Sequence, residues 1–401
     1  MVSLTRRPGG SQWATARYTL IQASYWPCYC VIITFASVYL LHQGFRNTEI
    51  GIVISVAGVL SALLQPFVSR RADHLRRLAL RQFAALLILG QVGLCLLLKC
   101  LPGRVPQILL YSGLLVLIQL ILPLCSALGM DCLNRGIPLN FGAARGAGSI
   151  GFAVFSSLCG TLVLWFGEGV LPLVMLAVTL VLLLAVFTFR FRTPEGGEVA
   201  SEGESSAGET TGGAFLLKYR GMVWILLGVV CLFLSHNILN TYAFQIVQPL
   251  GGTSREMGNM LFIQSVVELP VLFGFGLLLK RADSRFWVRI CGAGFFLHAL
   301  GELAAPNIPV IYAVQIFEMP GYALFTLASI YWINEIVAPE DRVQGQAYFA
   351  MAMTIGAVLA GFLGGFLLDR AGVVSLLAFS TAAGGAGMVL LLVLLGKKRD
   401  V

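Results

Sequence analysis

Twelve uninterrupted apolar runs, each long enough to cross a bilayer as a helix, set the limits on what this chain can fold into. They fall at 18–41, 50–69, 78–98, 107–129, 143–166, 170–190, 222–246, 257–279, 288–305, 308–334, 344–367 and 373–395. Runs of this kind predict helices, because barrel strands would show alternating segments of about ten residues. Charged residues are 11% of the 401, under half of the roughly one quarter typical of soluble domains. The expected fold class is an all-α membrane protein with twelve transmembrane helices.

One hydrophilic stretch interrupts the pattern near the midpoint. Thr193–Gly213 carries Glu195, Glu198, Glu202, Glu204 and Glu209, no basic residue, and no large apolar side chain after Val199. Such a segment cannot bury enough apolar surface to offset its ordering entropy. The chain therefore divides into residues 1–192, a disordered cytoplasmic linker at 193–213, and residues 214–401, with six helices in each half.

Lys and Arg fix the expected orientation. With the N-terminus in the cytoplasm, only Arg46, Lys99, Arg104, Arg255 and Arg370 of the 27 basic residues fall outside. That bias places both termini inside. It also assigns the net charge of +8 to topology, which argues against nucleic acid as a partner. The nine cysteines form no C-x-x-C, and four histidines make no zinc-ligand cluster, so no metal or cofactor is expected. The first apolar run is too long for a signal peptide, and the N-terminus is expected to stay attached.

The halves repeat one another. Glu49-Ile50-Gly51 opens the second run and Glu256-Met257-Gly258 the eighth; Arg71-Ala72-Asp73 and Arg281-Ala282-Asp283 close them. Two six-helix bundles in one orientation are the arrangement of a transporter that rocks about a midplane site. A duplicated six-helix protein of another activity would show the same repeat.

These features resemble the major facilitator superfamily. Ser69-Arg70-Arg71-Ala72-Asp73-His74-Leu75-Arg76-Arg77 is similar to the family's G-x-x-x-D-R-x-G-R-R loop between helices 2 and 3, with Ser69 and His74 replacing a glycine and an arginine. The stretch Phe141–Ala153, with Glu268 in VVELP, His298 in LHALG, Glu318 in IFEMPG and the later NEIVAPEDRVQGQAYF, resembles lactose permease and its oligosaccharide:proton symporter relatives. The resemblance implies a major facilitator fold of two six-helix bundles. It further implies that Glu268 acts in sugar binding and coupling, that Glu318 acts in proton release, and that Arg145 faces the cavity. His298 stands where those permeases have an arginine, Gln315 a histidine, Phe152 a tryptophan, and Asn237 and Asn240 two aspartates.

Ionisable groups inside a bilayer are costly and are functional candidates by default. Glu268, His298 and Glu318 lie about 15–16 Å along their helices, and His236 about 21 Å along its own. Four titratable groups at similar depth suggest a proton-handling cluster, or else a buried network that pins helices together. A carboxyl in a poorly hydrated cavity can hold a proton near neutral pH and release it when hydrated. His298 and Glu302 are four residues apart on one helix face and can pair. Arg145 offers planar donors for hydroxyls or a carboxylate. Asn237 and Asn240 can bind a polar ligand or act as interhelical glue. Phe152, Tyr25 and Trp26 can stack a ring or simply pack. Gly142 and Gly146, and Ala357, Gly361 and Gly365, are candidates for close helix contact.

The sequence thus points to proton-coupled uptake of a small polar solute, sugar- or oligosaccharide-like, across a bacterial cytoplasmic membrane by a monomer. Candidate solute ligands are Arg145, Phe152 and Trp26 in one half and Asn237, Asn240, Glu268 and Asn334 in the other. Candidate proton-coupling groups are Glu268, Glu318, His298 and Glu302, with the proton as coupling ion. Competing readings are a proton-driven exporter of amphipathic compounds and a membrane-embedded enzyme. The enzyme would require a metal or nucleophile cluster near one surface, and the sequence displays none.

Overall fold

The computed structural model describes residues 9–73, 77–134, 137, 139–190 and 212–396. Most of the expected linker, 193–211, and the histidine and basic residues at 74–76 lie outside the described residues. The helices of spanning length, in chain order, begin with α1, which runs through Gly9–Tyr29, a π turn at Cys30–Thr34 and Ala36–His42. There follow α2 (Asn47–Asp73), α3 (Arg77–Cys100), α4 (Arg104–Asn134), α5 (Phe141–Phe166) and α6 (Leu171–Thr188). After the short helix Gly212–Lys218 come α7 (Arg220–Thr241), α8 (Ser254–Leu278) and α9 (Ser284–Ala304). The helix α10 is assembled from Ile308–Val314, Gln315–Glu318, Met319–Ala323 and Leu324–Ile336. The last helical stretch, Arg342–Gly396, is broken at Gly372 (φ 77°), giving α11 (342–371) and α12 (373–396).

Among the described residues nine helices are long and apolar enough to cross a membrane, ten when the bent pair Trp13–Thr34 and Ala36–His42 counts as one span. One of the nine is the stretch broken at Gly372, and α9 is a helix of 21 residues whose polar side chains hold down its hydropathy. This is consistent with the twelve segments laid out in the sequence.

The described chain forms two compact units: Met1–Phe35, Val59–Ser156 and Gly169–Ser206 in the first; Ala36–Gly58, Ser157–Glu168 and Ala207–Val401 in the second. In the first unit, Tyr111 Oη of α4 donates at 2.8 Å to the Ile32 carbonyl within the π turn of α1. Tyr25 Oη similarly donates to the Ile118 carbonyl at 3.0 Å, tying α1 to α4.

The second unit takes in the starts of α2 and the end of α5. The repeated glutamates have the same local role there. Glu49 Oε2 accepts the Arg46 N–H at 2.8 Å, and Glu256 Oε2 accepts the Thr253 N–H at 2.8 Å, each satisfying a donor at a helix start. Thr253 and Glu256 complete a capping box on α8. Gly361 and Gly365 of α11 meet Gly51 and Asn47 of α2 backbone to backbone, as the small-residue spacing on α11 suggested. The Asp369 carboxylate then accepts the N–H groups of Asn47 (3.2 Å) and Thr48 (2.7 Å) and the Thr48 hydroxyl (2.7 Å). A carboxylate at a helix N-terminus also meets the positive end of the dipole. On α5, Ser157 Oγ donates to Asn259 Oδ1 of α8 at 2.6 Å. On α5 an added Cβ at Gly142 would meet nothing nearer than 3.8 Å, whereas Gly148 and Gly151 lie on α1 and Gly160 lies on Ser254 at the start of α8.

Candidate functional site

The helical winding of α10 changes where its polar residues lie. Pro320 has no N–H to give to the preceding turn, and the helix passes through a 3₁₀ turn at Gln315–Glu318 into a π turn at Met319–Ala323. Beside it Gly294 of α9 faces Gly321: a Cβ on Gly294 would lie 2.4 Å from the Gly321 nitrogen. Only paired glycines allow this approach. It places His298, one turn on from Gly294, against Glu318, just before the π turn.

Glu318 is 1% exposed, His298 3% and Glu302 2%. Glu318 Oε1 receives three groups: His298 Nδ1 at 3.0 Å, His236 Nδ1 of α7 at 3.3 Å and Gln264 Nε2 of α8 at 3.1 Å. The opposite edge of His298 continues the array, with Nε2 3.3 Å from Glu302 Oε1 and 3.2 Å from Gln315 Oε1. Gln315 Nε2 donates to Glu302 Oε1 at 3.0 Å and to the Ile311 carbonyl at 3.1 Å. Asn240 donates to the His236 carbonyl at 3.0 Å and accepts from Gln264 at 3.2 Å. The Tyr322 ring stacks on the His236 imidazole with centroids 4.6 Å apart. Two carboxylates and two imidazoles are thus linked inside four membrane-spanning helices. Within so poorly solvated a setting an ion is tolerable only with partners or with its charge neutralised by protonation.

The first unit holds a separate constellation. The Arg145 guanidinium lies over the Trp26 ring at 4.1 Å, and its Nη1 donates to Ser149 at 3.1 Å. Trp26 Nε1 donates to Gln22 Oε1 at 3.2 Å. Tyr25 and Tyr29 each lie 5.4 Å from Trp26, and Phe152 lies 6.5 Å from Tyr29. Gly148 makes room for the indole, since a Cβ there would sit 2.4 Å from Trp26 Cδ1.

Of the residues singled out by sequence, Glu318, His298 and Glu302 come together, with His236 and Asn240 joined to them. Glu268 is half-buried, one turn beyond Gln264; the α8 side chain that donates to Glu318 is Gln264. Asn237 donates to the Phe233 carbonyl of its own helix at 2.7 Å. Asn334 is exposed in the last turn of α10, roughly 24 Å along the helix from Glu318 at 1.5 Å per residue, and so stands apart from the array. Arg145, Trp26 and Phe152 gather in the first unit. Sequence reasoning missed Gln264 and Tyr322, although a lone glutamine inside an apolar run was a usable signal. It also missed the Gly294–Gly321 contact, because two glycines on different helices carry no mutual spacing.

Helices of spanning length that carry buried titratable side chains make this a polytopic membrane protein. Residues 24–379 match the MFS_1 like family, and the chain belongs to it, within the major facilitator superfamily of transporters and not among enzymes. It is 26% identical over 352 residues to the probable 3-phenylpropionic acid transporter of Escherichia coli (strain K12), covering 85% of this chain and 88% of that one. It is 25% identical over 405 residues to the maltose permease of Geobacillus stearothermophilus, covering 96% of each. Among solved structures, the nucleoside transporter NupG is similar in fold at TM-score 0.79 and 15% identity, over 96% of this chain and 100% of that one. The D-xylose-proton symporter is similar at TM-score 0.68 and 14% identity, over 98% of each.

Proposed function

We propose that this protein takes up a small polar solute, sugar- or oligosaccharide-like, together with protons, by alternating access across a bacterial cytoplasmic membrane. It acts as a monomer with both termini in the cytoplasm, and the proton is the coupling ion. The observation that carries this reading is the continuous Glu302–His298–Glu318–His236 array within membrane-spanning helices. A purely structural role could be filled by neutral amides at lower desolvation cost, whereas titratable groups can change their net charge within a cycle. Protonation of Glu318 weakens its hold on His298, His236 and Gln264 and alters the packing of α7, α8, α9 and α10. Coupling then requires only that the solute prefer one protonation state, because a ligand shifts an equilibrium by its differential affinity alone. Glu268, Asn237 and Asn240 in the second unit and Arg145, Trp26 and Phe152 in the first are the proposed solute ligands. The names of the relatives, a maltose permease among them, support a solute of this size.

A second reading of the solute is favoured by one observation. Arg145 stacked on Trp26, with Tyr29 and Phe152 near, suits a planar ring bearing a carboxylate, since aromatic faces take the ring and a guanidinium takes the acid. The E. coli relative carries the name of such a solute.

The test is ligand-dependent thermal stabilisation across oligosaccharides, nucleosides and aryl carboxylates, followed by solute and proton uptake into vesicles with each stabilising compound. The proposal expects protons to enter with the solute and an imposed proton gradient to drive accumulation. Solute uptake with no proton movement would contradict it.

A further inference from the structure

We propose that Glu302 is the entry point of a proton path that leads from the α9–α10 loop to Glu318 through His298. The inference rests on the proton-coupled reading above and adds to it a route and a direction.

The array is graded in depth. Glu302 stands two residues before Ala304, the last residue of α9, about 3 Å of helix rise from the end. Glu318 lies ten residues into α10, about 15 Å along it from Ile308. Beyond Glu302 the chain surfaces at once, with Ala304, Pro306 and Asn307 exposed. By the distribution of basic residues this loop faces outward. The path therefore runs from an outer loop to mid-helix along side chains of α9 and α10 only.

The chemistry of each link is defined. His298 presents one ring nitrogen to each carboxylate, Nε2 to Glu302 and Nδ1 to Glu318. A proton on Glu302 Oε1 passes to Nε2 as the proton on Nδ1 passes to Glu318 Oε1. One O–H and one N–H bond break, one of each forms, and the imidazole ends as its other neutral tautomer. Gln315 holds Glu302 Oε1 toward the ring by donating to it at 3.0 Å while its own oxygen faces Nε2 at 3.2 Å.

The groups that face this path are His298 on α9, Gln315 on α10, His236 and Asn240 on α7, and Gln264 on α8, with Glu268 one turn further. Among the described residues, the second oxygens of both Glu302 and Glu318 are buried without a hydrogen-bond partner. An ion pair built only for stability would leave such acceptors at a cost. Carboxyls that spend part of a cycle protonated bear that proton on one of their oxygens and lose the charge.

The test follows carboxyl protonation by time-resolved infrared spectroscopy in right-side-out vesicles holding the full chain, after a pH jump and with no solute added. In the wild type, acidifying the outer medium must produce the Glu318 signal faster than acidifying the lumen; equal or reversed rates overturn the path. Glu302→Gln is expected to slow the outer response by about tenfold or more, the scale of losing one positioned proton-transfer group, while leaving the Glu318 amplitude. Glu302→Asp is expected to restore most of the rate. An unchanged rate in Glu302→Gln, or a Glu302→Asp as slow as Glu302→Gln, overturns the role of Glu302. A signal undiminished in Glu318→Gln overturns the underlying proton-coupled reading instead.

Discussion

Gly294 of α9 and Gly321 of α10 meet with no side chain between them, and the contact brings His298 Nδ1 within 3.0 Å of Glu318 Oε1. Position and chemistry are therefore coupled: the backbone approach is what allows an imidazole and a carboxylate on separate helices to share a proton. The two glycines are not equivalent. A Cβ on Gly294 would come 2.4 Å from the Gly321 nitrogen, whereas one on Gly321 would come 3.2 Å from the Phe295 nitrogen.

Gly294→Ala is accordingly expected to destabilise the protein by about 1–3 kcal/mol, the range for overpacking, and Gly321→Ala by clearly less. Thermal unfolding of the purified variants in one detergent checks the order. Equal midpoints would mean that the α9–α10 contact is looser than described.

Asp369 holds the start of α2 through two backbone N–H groups and the Thr48 hydroxyl. Asp369→Asn keeps the size but loses the charge and turns one acceptor into a donor. The loss is expected to be about 1–2 kcal/mol, near tenfold in the opening of this end of α2. Maleimide labelling of an Ala57→Cys reporter, buried in the parent, should rise accordingly; unchanged labelling would show that the carboxylate does not latch α2 to α11.

Arg145 binds Trp26 through the flat face of its guanidinium, 4.1 Å from the ring. Lysine keeps the charge but not the plane or the forked donors. Arg145→Lys is expected to weaken solute binding by about 1–2 kcal/mol, tenfold or more, with little loss of thermal stability. Titration of the stabilising ligand against both proteins measures this, and equal affinity would remove Arg145 from the solute site.

The fold was legible because its strongest determinants are local. Apolar runs, the bias of Arg and Lys, and the paired Glu49 and Glu256 starts all speak through sequence windows of a few residues to a few tens. Glu318, His298 and Glu302 were legible for a related reason, since a charge in an apolar run stands out by itself. What did not show is whatever depends on the rotation of one helix against another. Glu268 and Gln264 lie on one face of α8 a turn apart, and spacing alone cannot tell which of them reaches Glu318. Asn334 sits on the same helix as Glu318, yet about 24 Å of helix rise separates the two and removes it from the array. Gly142 has the spacing of a contact motif, yet a Cβ there would meet nothing nearer than 3.8 Å, whereas α5 turns Gly148 and Gly151 toward α1.

The central claim, that Glu318 couples proton movement to solute movement, is tested most directly by comparing two fluxes in vesicles carrying Glu318→Gln. One is solute accumulation driven by an imposed proton gradient, and the other is solute exchange at equilibrium. Loss of gradient-driven accumulation with exchange retained is the predicted result. Accumulation at the wild-type level in Glu318→Gln would contradict the account.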